Sequence, residues 1–196
     1  GGLLARAYTV FGAEQVDGAD ALVERRTAGR PERDAPERIE TAERYFAAVG
    51  ADVVEGGNRA CYQPGTDTIR LPALAQFDHA SDYYATSAHE HAHWTGHPDR
   101  LARDLSGRFG SDSYAAEELV AEMAAAMWCA QMSITPADRH DDHAAYLAGW
   151  LRVLRTDARA LVTVSSRSQA AVDHLNERAS YGPEAPKVDQ VAAQQP

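Results

Sequence analysis

Apolar positions along most of this chain recur at helical spacing. Between Pro36 and Gly50, residues Ile39, Ala42, Tyr45, Phe46 and Val49 form one stripe, which predicts a helix with Pro36 in its first turn and Gly50 as its stop. Ala51–Val54 is a strand candidate. Asn58–Tyr62 and Thr68–Leu71 flank the turn-forming run Gln63-Pro64-Gly65-Thr66-Asp67, which predicts a hairpin. After Pro72 the pattern is helical. One run is entered at Ser81 and Asp82, carries Tyr83, Tyr84, Ser87 and Ala88 on small or apolar flanks, and is stopped by Gly96 and Pro98. A second, Tyr114–Gln131, is unbroken and rich in Ala, Leu, Met and Glu, with Ser111 to Ser113 as cap candidates. Asp142–Arg155 and Asp157–Leu175 complete the helical set, and an Arg-, Asp- and Gly-rich loop over 98–113 joins the first two. Ahead of all this lie a short apolar β-like segment, Ala7–Phe11, and a polar connection over residues 12–35. Residues 180–196 carry Pro, Gln and Ala with little apolar content and are expected to be a disordered tail, leaving one domain over 1–179.

Composition narrows the class. A chain of 196 residues that is 44% hydrophobic buries one proper core. The formal net charge of −10 argues against a phosphate-binding surface, which needs clustered Lys and Arg. The basic stretch from Arg25 to Arg33 is broken by Gly29, Pro31 and Glu32 and reads as a solvated loop. Cys61 and Cys129 stand apart with no CxxC pair, which fits a reducing cytoplasm, and Cys129 beside Trp128 reads as core. No apolar run is long enough to span a membrane, and no secretory signal pattern is present in this sequence. A chain opening at Gly1 is expected to be a piece of a longer protein. Ser165, Ser166 and Ser168 carry no nucleophile motif.

The chemistry concentrates at His89-Glu90-His91-Ala92-His93, an HExxH motif on the first of the long helices. His89 and His93 lie one turn apart on one face, so both imidazoles reach a single ion. Glu90 sits where its carboxylate takes a proton from water. Two neutral nitrogens, an open position and a general base are the kit of a zinc hydrolase. His91 points to the other side of the helix.

A third ligand is required. Glu118 and Glu122 follow His93 by 25 and 29 residues and share a face of the second helix, so one can bind metal while the other hydrogen-bonds a ligand histidine. The apolar Leu119, Val120 and Ala121 between them, in place of Lys or Arg, favour Glu118 as the ligand. Glu117, one position round, is expected to face solvent. Asp99 is a second candidate, because His89 to Asp99 also reads as the HExxHxxGxxD of metzincin-like enzymes, with Gly96 at the turn. His97 shares the helix face but stands about 12 Å from His89 along an axis rising ~1.5 Å per residue, and reads as a turn residue. Asp142-His143-Ala144-Ala145-Tyr146 offers a further element. Asp142 is a natural cap, and His143 and Tyr146 at i, i+3 share a face, either to stabilise an oxyanion or simply as a capped helix with Tyr146 in the core.

These motifs resemble the C-terminal, zincin-like metallopeptidase domain of the ArdC family of antirestriction proteins, carried on conjugative plasmids and in phage polyvalent proteins. The resemblance runs from about Tyr8 to Leu175, through Tyr8–Phe11, Gly56–Ala60, Ile69–Pro72, Tyr83–Thr86, His89–Pro98, Glu117–Glu122 and Asp142–Tyr146. It implies an α+β zincin-like metallopeptidase fold, a small and mostly antiparallel sheet packed with several helices, with HExxH on a central helix. It further implies one Zn2+ on His89, His93 and Glu118, Glu90 as base, and hydrolysis of a peptide or protein substrate. An edge strand beside the motif helix can add such a substrate as a further strand, and the 58–71 hairpin is the candidate edge. Family members bind single-stranded DNA through an N-terminal domain to which nothing here corresponds. The alternative is a non-catalytic, metal-stabilised module acting in restriction evasion through protein or single-stranded DNA contacts.

Overall fold

A computed structural model describes residues 35–106, 112–137 and 159–182. The Ala7–Phe11 segment, Arg25–Arg33, the Asp142–Arg155 helix with His143 and Tyr146, and residues 183–196 of the expected tail lie outside the described residues.

Helix α1 spans Glu40–Val49 and buries Ala42, Tyr45 and Val49 from the predicted stripe. It begins later than Pro36, because Ile39, still extended, is the residue whose carbonyl accepts the first helical N–H bonds. Glu40 and Glu43 in the first turn favour the positive end of the helix dipole. Gly50 ends it with φ 74° and an N–H bond to Phe46 O of 3.2 Å, a conformation glycine adopts without a Cβ penalty.

Three short strands follow: β1 (Asp52–Glu55), β2 (Cys61–Gln63) and β3 (Thr68–Leu71), ordered β1-β3-β2. The hairpin is present, with Tyr62 opposite Ile69. The sheet is mixed and not mostly antiparallel, since β1 runs parallel to β3 from Asp52↔Thr68 to Glu55↔Leu71. The hairpin return places β3 between β1 and β2, so β1 and β2 are the two edges. Alternation of side chains does not encode that order.

Helix α2 (Ala80–Trp94) carries the motif. It is buried on nearly every face, including Tyr83, Tyr84, Ala85, Ala88, His91, Ala92 and Trp94. It is a central helix that contacts β2, β3, α3 (Asp112–Gln131) and α4 (Arg159–Arg178). It starts one residue before Ser81, and no side chain caps it. Asp82 instead accepts the Ala137 N–H at 2.9 Å. Behind α2, Phe46 stacks on His91 at 4.2 Å and on Trp128 at 4.6 Å. Cys129 is buried beside Trp128, as its neighbours imply. After α4 the chain turns at Ser180, and the exposed Tyr181 stands edge-on to Tyr45.

The loop after α2 folds back tightly. Leu101 N bonds Thr95 O at 3.0 Å and Arg103 N bonds Gly96 O at 3.0 Å. A Cβ on Gly96 would stand 2.9 Å from Leu105 Cδ2 and 3.0 Å from His93 O, so the return requires glycine for lack of space. Gly96→Ala is expected to destabilise the fold by about 1–3 kcal/mol, the usual cost of overpacking. A urea midpoint equal to that of the wild type would contradict this packing.

His91 generates a second expectation. Burial pushes its pKa down from 6.5 to about 4, against an Nδ1 bond to Ser87 O of 2.7 Å. The folded state keeps the ring neutral while the unfolded chain takes up a proton below pH 6.5. This contribution to stability is therefore present above pH 6.5 and is lost as pH falls towards 4, by about 2 kcal/mol between pH 7 and 5. Denaturant titrations at the two pH values should show His91→Leu losing correspondingly less than wild type; parallel losses would refute the assignment.

Candidate metal centre

Three elements position the site: the half-buried face of α2 that carries His89 and His93, the facing turns of α3, and edge strand β2. Helical spacing sets His89 and His93 on one face, with Nε2 atoms 3.1 Å apart. On α3, Glu118 lies opposite them, 3.5 Å from His89 Nε2 and 3.6 Å from His93 Nε2. One ligand atom from each of the three residues falls within 4.8 Å of the others. Ligands bonded at ~2.0–2.1 Å in a tetrahedron are ~3.3–3.4 Å apart, so the spacing fits one zinc-sized ion. Among the described residues this is the one group of His, Cys, Asp or Glu side chains that converges in this way.

The flanking carboxylates divide between the histidines. Glu122 approaches His89 Nδ1 at 3.4 Å, on the side away from the cluster. Glu117 Oε1 lies 3.2 Å from His93 Nδ1. The expectation that Glu117 faces solvent is corrected: its side chain is 10% exposed and is held by Arg103 through Nε at 3.0 Å and Nη2 at 2.9 Å. The buried Arg103 guanidinium is the reason, because it supplies the counter-charge that lets a carboxylate leave water. A cation in the loop was the signal for it, invisible without the loop's path.

Electrostatics agree with the geometry. Burial works against the charge of His89, but Glu118, Glu90 and Glu122 around it outweigh that and raise its pKa. Burial likewise opposes ionisation of Glu118, yet His89, His93 and the Tyr114 phenol hold it below the usual carboxylate range. Glu117 is held low against its burial by His93 and Arg103. Acid side chains kept ionised beside two imidazoles form a site matched to a cation.

Glu90 is buried beside the cluster, and its Oε2 accepts the Tyr62 N–H at 2.7 Å. Tyr62 is the middle residue of β2, and its N–H points away from β3 and towards the motif helix. A cleft of about 330 Å3 opens here, lined by His89, Glu90, His93, Glu118, Tyr114 and Arg59. Tyr114 was not singled out by the sequence; it stands one turn before Glu118, so its place on the same face of α3 was available from spacing.

Other candidates lie elsewhere. Asp99 is 87% exposed in the loop, with His97 Nδ1 3.6 Å from its carboxylate, and is not part of the cluster. His97 caps the turn by accepting the Asp99 N–H at 3.2 Å. His91 is on the opposite side of α2, as expected. His143 and Tyr146 are outside the described residues. No helix among them is long and apolar enough to cross a membrane.

The chain is similar to several known proteins. The antirestriction protein ArdC from the R388 plasmid, in its Mn(II)-bound form, is 41% identical with a TM-score of 0.67, over 88% of this chain and 62% of that one. Its metal-free form gives 40% and 0.66, over 88% and 60%. The uncharacterized protein y4eC of Sinorhizobium fredii is 43% identical over 178 residues, 91% of this chain and 56% of that protein. A DNA primase TraC of Escherichia coli is 40% identical over 170 residues, 85% of this chain but 15% of the primase. This chain therefore spans about half of one relative and a small part of the other. The sequence pattern described as zincin-like metallopeptidase matches residues 40–167, and with the HExxH helix in place the chain belongs to that family.

Proposed function

We propose that this chain is a metal-dependent peptidase domain, with one zinc ion held by His89, His93 and Glu118 and with Glu90 as general base, serving an antirestriction protein of the ArdC type. The observation that carries the reading is the convergence of the two Nε2 atoms on the Glu118 carboxylate, with Glu90 beside them in an open cleft. Three protein ligands facing a cleft are the pattern of a catalytic site; a structural site closes the fourth position with protein. Zinc suits two imidazoles and a carboxylate. The similar ArdC structure holds Mn(II), so the identity of the metal is a matter for measurement.

When bound, the ion supplies a Lewis acid and lowers the pKa of a water. The chain's own residues do the rest. Glu90, oriented by the Tyr62 N–H, takes the proton of the attacking water and returns it to the leaving amine. The outer edge of β2 aligns an extended peptide along the cleft through backbone groups other than the Tyr62 N–H, which Glu90 holds. Tyr114 in the cleft wall, and His143 or Tyr146 from the segment outside the described residues, are the proposed donors to the developing oxyanion. Cytoplasmic action on a peptide or protein substrate is the context proposed. Any contact with single-stranded DNA is proposed for parts of longer ArdC-type proteins outside the region matched here.

Metal stoichiometry is the first measurement. Elemental analysis should find about one equivalent of divalent ion. Glu118→Ala should weaken binding by roughly 10–100-fold, whereas Asp99→Ala should leave it intact; the reverse order would move the third ligand to the loop. Absence of binding after zinc is added would remove the site altogether.

Glu90→Gln separates catalysis from binding. Cleavage of a peptide library should fall by ~10²–10⁴-fold with zinc still bound and the melting temperature little changed. If the wild type cleaves nothing while Glu90→Gln evades restriction equally well, the chain is the metal-stabilised binding module instead.

A further inference from the structure

We infer that Arg103 is a positioning residue for the metal centre, acting through Glu117 to fix the tautomer of His93; this rests on the metal-site reading above. The side chain of Arg103 is 5% exposed and spans the gap between the two ligand helices. On the α2 side its Nη2 donates to Ala92 O at 2.6 Å and its Nη1 to Thr95 Oγ1 at 2.7 Å. On the α3 side its Nε and Nη2 grip Glu117, whose Oε1 then meets His93 Nδ1 at 3.2 Å.

The consequence follows from the two nitrogens of one ring. A carboxylate at Nδ1 requires the proton to be there, which leaves the Nε2 lone pair facing the cluster. The competing arrangement is close by, because His89 Nε2 lies only 3.1 Å from His93 Nε2. With the proton on His93 Nε2, the two rings hydrogen-bond each other and both lone pairs are lost to the metal. Glu117 prevents that only while it stays buried, and a buried carboxylate one residue from Glu118 stays only with a cation beside it. Arg103 is that cation. Its two bonds to the end of α2 tie Glu117 to the same turn that carries His93, so ligand and orienting group move together.

A merely structural Arg103 would tie the loop to the helix end and do nothing to the ring. The test reads the ring. In metal-free protein at pH 8.5, nitrogen-15 shifts of His93 should report the Nδ1–H form in wild type. Arg103→Met should shift the ring towards Nε2–H and weaken zinc binding, read by chelator competition, by about 10–100-fold. Arg103→Lys, which keeps a cation beside Glu117, should recover most of both. Glu117→Gln, with Arg103 left in place, should also weaken binding and serves if Arg103→Met fails to fold. Wild-type His93 in the Nε2–H form would overturn the inference. So would an Arg103→Met variant with unchanged tautomer and affinity but a lower melting temperature. If wild type binds no zinc yet the tautomer still follows Arg103, the metal reading fails and the relay stands.

Discussion

The site depends on how closely α2 and α3 approach. Ala92 on α2, Ala121 and Ala124 on α3 and Ala171 with Val172 on α4 form one buried cluster of small side chains. Helix axes separated by small residues come to the near end of the usual 8–10 Å range. At that distance a glutamate on one helix reaches imidazoles on the other without spanning a gap. Larger residues along this seam would hold Glu118 away from His89 and His93 whatever the rest of the chain did. The ligand geometry is thus a packing result before it is a chemical one.

Around that seam two arginines in one loop hold the periphery. Arg103 joins the end of α2 to Glu117 on α3. Arg100 lies over the Trp94 ring at 3.8 Å, donates to Trp94 O at 2.6 Å and grips Asp67 and the Tyr62 hydroxyl. Its guanidinium, with help from the Tyr62 hydroxyl, holds the Asp67 carboxyl below its ordinary range against the opposing effect of partial burial. Arg100 therefore secures the hairpin whose Tyr62 N–H meets Glu90, and Arg103 secures the carboxylate that meets His93. Gly96 makes the return path of the loop possible. One loop thus reaches both the base and a ligand histidine without contributing a residue to either role.

Much of this was legible in the residues. The HExxH spacing declares its own geometry on any helix, and the stripe from Ile39 to Val49 and the hairpin at 58–71 follow from local periodicity and turn chemistry. What failed depended on rotation, order and distant charge. Glu118 and Glu122 share a face of α3 while Glu117 lies about 100° round it, and only the helix pairing shows that all three face the histidines. The parallel β1–β3 pairing depends on where the hairpin inserts, which no local pattern records. Asp82 resembled a cap, but its carboxylate is claimed by the Ala137 N–H from across the fold. In each case a residue read by its sequence neighbours is used by a spatial one.

Two imidazoles and one carboxylate, brought together across the alanine seam, are proposed to hold a catalytic ion with a position left open to the cleft. X-ray absorption at the zinc edge of the metal-loaded chain tests this most directly. Two imidazole nitrogens with carboxylate and water oxygens at about 2.0–2.2 Å and no sulfur are the expected result. Cys61 lines the same cleft. A sulfur shell at about 2.3 Å, or four protein ligands with no water, would contradict it.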